Sequence, residues 1–165
     1  MISKLVKIGS VLLVGTLASL GAAAHAGNIN TSGVICQNYN AAQALDIDYF
    51  TDAVRNINPA PRPVICSIPR SPLPAGFTPR FFIDGHNDAG TCTPCTVTLY
   101  NFDGAPAGSQ TLTNCAPAAG PSNWSQFVNF AAIVPPDEFY NYASVMCTLP
   151  GNGAGLVYGA TAIQP

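Results

Sequence analysis

Charge is what this chain has least of. Only 8% of its 165 residues are charged, and both lysines, Lys4 and Lys7, lie close to the N-terminus. The remaining basic residues, Arg55, Arg62, Arg70 and Arg80, are scattered. Nucleic acids and anionic membranes are gripped by clustered Lys and Arg, so neither is an expected partner. Histidine is almost as scarce, with only His25 and His86, and Trp124 is the one tryptophan. No G-x-S-x-G elbow occurs, and after residue 26 no apolar run is long enough to span a bilayer. The glycine-rich GNGAG at 151–155 follows no strand-to-helix pattern, so it reads as a hairpin loop and not a phosphate cradle.

The N-terminus accounts for most of the hydrophobicity that is there. Lys4 and Lys7 precede an apolar stretch from Val11 to Leu20, and Ala24-His25-Ala26 offers the small-x-small pattern of a signal peptidase site. Residues 1–26 are thus expected to be a secretory signal peptide, cleaved after Ala26. The expected mature chain, 27–165, is one domain without a transmembrane segment, secreted or periplasmic. In it four arginines face eight acids, leaving a net charge of −4, and His86 is the only histidine.

Proline and glycine, 15 of each, cut the chain into short segments. Strands are expected at 33–38, 64–68, 79–84, 95–102, 109–115, 124–131, 140–149 and 155–163, all rich in Val, Ile, Thr, Tyr and Phe. About eight strands without sustained helical periodicity predict an all-β fold. The expectation is a single antiparallel β-sandwich, jelly-roll or Ig-like. Residues 40–58 resist assignment. Asn40 with Gln43 resembles a helix capping box, whereas Leu45, Ile47 and Tyr49 alternate like a strand, which is the reading favoured for 45–50. The proline-rich stretch that ends at residue 79 reads as a stiff connection.

The segment DGHNDAGTCTPC, residues 84–95, is the densest in chemical groups. Six cysteines in a short exported chain predict three disulfides. If 95–102 and 109–115 form a hairpin about residue 105, Cys95 faces Cys115 across the strands and pairs with it. Cys36 with Cys66, as sequence neighbours, and Cys92 with Cys147, by elimination, complete the set. A redox Cys-x-x-Cys would open a helix, but TVTLY after Cys95 reads as a strand. Zinc lacks a second ligand pair. Asp84, His86 and Asp88 are weak candidates for a cation, yet Gly, Asn and Asp are also ordinary turn residues, so no metal and no cofactor is expected.

Any nucleophilic triad would have to use His86, and carboxylate pairs exist only at Asp46 with Asp48 and Asp137 with Glu138. Such acids are more often solvated surface groups. Trp124, Tyr140, Tyr142, Tyr100 and Tyr158 could together stack on a sugar, although most aromatics in a small β domain are core.

VICSIPR (64–70), TCT (91–93) and CTLPGNGAGL (147–156), after a signal peptide, resemble a group of exported bacterial proteins with VICP-like and CTLPG-like cysteine motifs. The resemblance covers most of 34–160, with Ser67 where proline is usual. It implies a small β-sandwich with Cys36, Cys66, Cys92 and Cys147 as shared staples, and it carries no assigned activity.

These readings converge on an exported, non-catalytic β-sandwich, either a binding module for a glycan or protein or a component of the cell surface. The alternatives are a structural subunit of an extracellular assembly and a secreted hydrolase using His86.

Overall fold

The computed structural model describes residues 29–68, 80–101, 103–129 and 142–163. They form eleven strands: β1 (Ile29–Ser32), β2 (Cys36–Asn38), β3 (Ile47–Tyr49), β4 (Val54–Asn56), β5 (Arg62–Ile68), β6 (Arg80–Asn87), β7 (Cys92–Tyr100), β8 (Pro106–Cys115), β9 (Ser122–Asn129), β10 (Tyr142–Leu149) and β11 (Gly155–Ile163). One sheet has the order β3-β4-β11-β6-β9, with β1 also on β11, and the other has the order β2-β5-β10-β7-β8. All pairs are antiparallel.

The pairs β7–β8, β6–β9, β5–β10 and β4–β11 are nested. The strands β4 to β11 therefore form one long two-stranded ribbon, turned at Asp103-Gly104 and rolled into two facing sheets, which is jelly-roll connectivity. Alternation drives the rolling. Phe81, Ile83, Val97, Leu99, Val128, Val145, Leu149 and Val157 point inward and are at most 1% exposed.

All three disulfides lie within the second sheet, and each joins residues directly opposite in register. Cys36–Cys66 links β2 to β5, Cys92–Cys115 links β7 to β8, and Cys95–Cys147 links β7 to β10. The first pairing is as expected, whereas Cys95–Cys115 and Cys92–Cys147 are corrected. The hairpin turns at Asp103-Gly104, where Gly104 has φ 84° and Asp103 Oδ1 accepts from Ala105 N. That is one and a half positions earlier than the centre assumed from sequence, residue 105, and it moves each pairing by three residues. The register accordingly sets Cys92 against Cys115 and Cys95 against Leu112, leaving Cys95 to meet Cys147.

The ambiguous segment uses both of its readings in turn. Asn40 Oδ1 accepts from Ala42 N and caps a 3-10 helix at Ala41–Asp46, after which Ile47–Tyr49 is strand. At one end of the sandwich the loops are laced together. Gly153 N donates to Asn56 O at 2.7 Å, Asp88 N to Ala154 O at 2.8 Å, and Ala116 N to Thr91 O at 2.9 Å. Asn56, fully buried, adds side-chain bonds to the carbonyls of Ala60 and Pro150 and accepts from Asn58 N. This end fixes where β6 stops and hence where His86 and Asp88 stand. Among the described residues no helix is long and apolar enough to cross a membrane.

Candidate functional site

The strand expected at 79–84 runs on to Asn87, which carries Asp84 and His86 out of a turn and onto β6. Gly85 can sit in a strand because the Trp124 ring occupies the space its side chain would fill. The turn proper is at Asp88–Thr91, with Gly90 at φ 71°.

With Phe81, Ile83 and Asn87 inward, Phe82, Asp84 and His86 face outward from the first sheet. Register places Phe127, Ser125 and Asn123 of β9 beside them. The rings of Phe82 and Phe127 lie 5.1 Å apart at 45°, and Phe127 is 40% exposed. His86 donates from Nδ1 to Asn123 Oδ1 at 2.8 Å, and its Nε2 is 3.7 Å from Asp88 Oδ1.

On the other side of β6, β11 has a bulge. The register slips between Val157 and Gly159, so Tyr158 is the extra residue and Gly159 stands opposite Asp84. At the same place the far edge of β11 changes partner, from β4 at Leu156 and Val157 to β1 at Gly159 through Ala162. A groove of about 430 Å³ opens there, lined by Thr31, Ser32, Asp84, Tyr158, Gly159, Ala160 and Thr161. Thr31 Oγ1 donates to Ala160 O at 2.8 Å and fixes one wall. Any Cβ at Gly159 would run into the Thr31 carbonyl, so glycine is what lets β1 close on the bulge.

Among the described residues Asp84 is the one acid lining this groove. The ion pairs among the described residues are Arg55–Asp48 at 2.8 Å, Arg62–Asp46 at 2.6 Å and His86–Asp88, and Asp84 belongs to none of them. The carboxylates considered as a catalytic pair, Asp46 and Asp48, are each held by their own arginine. Asp137 and Glu138 lie outside the described residues.

The three cation candidates separate. Asp84 opens into the groove, while His86 and Asp88 lean together beyond it. Among the described residues no three His, Cys, Asp or Glu side chains converge.

The aromatics expected to stack together also separate. Trp124 lies opposite Gly85 on the inward side, packed against the core, which corrects its reading as an exposed platform. Tyr142 lies opposite Tyr100 in the second sheet, and Tyr140 is outside the described residues. Tyr158 alone of that set reaches the groove. Phe82 and Phe127 were missed, although the adjacent Phe81-Phe82 on a strand already required one ring to face outward.

No protein-family model and no curated protein matches the chain. Solved structures do resemble it. A family 35 carbohydrate-binding module from Clostridium thermocellum matches at 10% identity, over 83% of this chain and 98% of that one, with a TM-score of 0.49. The C-terminal family 6 module of a laminarinase from Zobellia galactanivorans matches at 13%, over 83% and 99%, with a TM-score of 0.44. A family 36 module of a xylanase from the hindgut metagenome of Trinervitermes trinervoides matches at 9%, over 84% and 97%, with a TM-score of 0.43.

Proposed function

We propose that the chain is an exported, non-catalytic module that binds a glycan on the outward face of its first sheet, along β6 and β9 and into the groove beside Tyr158. The observation that carries this is the placing of an open groove, with an acid, hydroxyls and a tyrosine, next to the paired rings of Phe82 and Phe127, the second of them exposed. A sugar ring offers a C–H face that aromatic rings cover and a rim of hydroxyls that carboxylate, amide and hydroxyl groups bond.

Two features favour a glycan over a peptide or a substrate. β6 lies between β11 and β9, so its backbone groups are engaged in ladders and beside the groove the face is read by side chains, while the open main-chain edge lies on the far side of β9. An extended peptide binds best where main-chain groups are open. Hydrolysis of a glycoside generally uses two carboxyl groups about the scissile bond, and among the described residues the groove has only Asp84. No cysteine is free to act as a nucleophile.

Retention on a panel of polysaccharides tests the proposal. The folded protein is expected to be retained by at least one of them. Phe127→Ala and Tyr158→Ala should each weaken binding about tenfold while the protein remains folded at the assay temperature. If the folded protein is retained by none, the reading fails.

A second reading, a subunit that assembles through a sheet edge, has its own support. β8 ends the second sheet, is 10 residues long and has no charged side chain, whereas edges are usually blunted by charge. A native mass that rises with concentration, and falls back in Thr111→Lys, would favour it.

A further inference from the structure

The groove has an unbalanced charge. Asp84 is half-buried, with Gly159 on one side, Ser125 on the other and the Tyr158 bulge above. No described residue hydrogen-bonds or ion-pairs with its carboxylate, whereas Asp46, Asp48 and Asp88 each have a basic neighbour, and the other described acids without one, Asp52 and Asp103, stand exposed in turns. The described residues have little to offer in compensation. Arg55 and Arg62 are held by Asp48 and Asp46, and the only other described arginine, Arg80, is four residues from Asp84 on the same strand. At about 3.4 Å per residue their Cα atoms are roughly 14 Å apart along β6, and no ion pair joins the two side chains. His86, two residues away, is engaged by Asn123 and lies beside Asp88.

A lone carboxylate beside an aromatic ring, with hydroxyls around it, is complementary to a primary ammonium group. The acid supplies the countercharge, the ring supplies cation–π attraction, and hydroxyl oxygens accept the remaining protons. We infer that the glycan bound here carries free amino groups, so that its ligand class is amino sugar that is not N-acetylated. This rests on the glycan reading of the same groove. It also accounts for the scarcity of basic residues on this face, since a lysine or arginine close by would compete with the ligand for Asp84.

The test is titration of the full mature protein with β-1,4-linked glucosamine oligomers and with N-acetylglucosamine oligomers of the same length. The expected result is about tenfold or more tighter binding of the free amine, lost in Asp84→Asn. Binding should also weaken as ionic strength rises from about 0.01 M to about 1 M, which shortens the screening length from about 30 to about 3 Å. The isosteric Asp84→Asn change should leave the unfolding temperature where it is, since the carboxylate has no partner to lose.

Equal binding of both oligomers, with Asp84→Asn unaffected, would overturn the inference while leaving a glycan module in place. Binding of an oligolysine peptide in preference to the glucosamine oligomer, through Asp84, would overturn it in favour of a peptide amine. Failure of the folded protein to bind either oligomer or any other polysaccharide would remove the inference and the glycan reading together.

Discussion

Cys95 of β7 is bonded to Cys147, the residue directly opposite on β10, and both are at most 1% exposed. Three residues earlier on the same strand, Cys92 is bonded to its own opposite, Cys115, on the outside of the sheet, where both are exposed. Cys36 and Cys66 are 1% and 2% exposed. Thiol–disulfide exchange needs the attacking thiolate to reach a sulfur, so access separates the three bonds. Mild reductant without denaturant should open Cys92–Cys115 alone. Alkylation and peptide mass analysis should then find two labels, on Cys92 and Cys115, with the fold retained. Labels appearing at the same rate on Cys95 or Cys36 would contradict this arrangement.

Much of the sandwich could be read from alternation. In 64–68 and 95–102 the inward residues Val64, Cys66 and Ile68, and Val97 and Leu99, recur with period two; the structure extends 64–68 and 109–115 by a few residues, moves 95–102 to Cys92–Tyr100 and keeps 155–163 as expected. What failed was information that does not lie in local periodicity. The Cys95–Cys115 pairing depended on the hairpin centre. The stronger turn signal there was the Asp103-Gly104 dipeptide, not the prolines and glycines after it. DGHN looked like a turn because of its composition, yet Gly85 is strand because a ring from β9 covers it. β3 and β4, three residues each, are too short to show a period, and buried Asn56 hides the second of them. The groove was the least legible feature of all. It arises where β11 bulges at Tyr158 against β6, about seventy residues away, and exchanges β4 for β1, both more than a hundred residues away. Asp84 and Tyr158 were each noticed in the sequence, but nothing local joined them.

Asp46 links the capped 3-10 helix to the start of β5. Arg62 Nε donates to its carboxylate at 2.6 Å and Asn58 Nδ2 at 2.9 Å, and the Arg62 hydrogen bond chiefly holds its pKa below the ordinary 3.8. A carboxylate whose pKa is lower folded than unfolded stabilises the fold when ionised. Its contribution is full above the ordinary aspartate range, fades as the pH falls below about 4, and is gone once the pH has passed below the native value. Asp46→Asn should accordingly lower the unfolding temperature at neutral pH, with the gap to wild type closing in acid. Thermal melts of both proteins across this range check it, and a gap that stays constant down to low pH would show that the carboxylate charge is not what matters.

Gly85 and Trp124 face each other across β6 and β9, and a side chain at Gly85 would collide with the indole ring and with the Leu156 carbonyl. β6 has neighbours on both sides, so the strand cannot move aside, and the ring must be displaced instead. Overpacking of this kind costs about 1–3 kcal/mol. Gly85→Ala should therefore lower stability by about that amount in urea unfolding. Because Trp124 is the only tryptophan, its fluorescence reports directly on the ring. The emission of the folded variant should shift to longer wavelength as the indole moves from the core toward water. The variant should also bind glycan more weakly, since Asp84 and His86 flank the displaced residue on the same strand. Unchanged emission together with unchanged stability would mean that the ring does not lie over Gly85, and the account of why β6 continues through DGHN would fall with it.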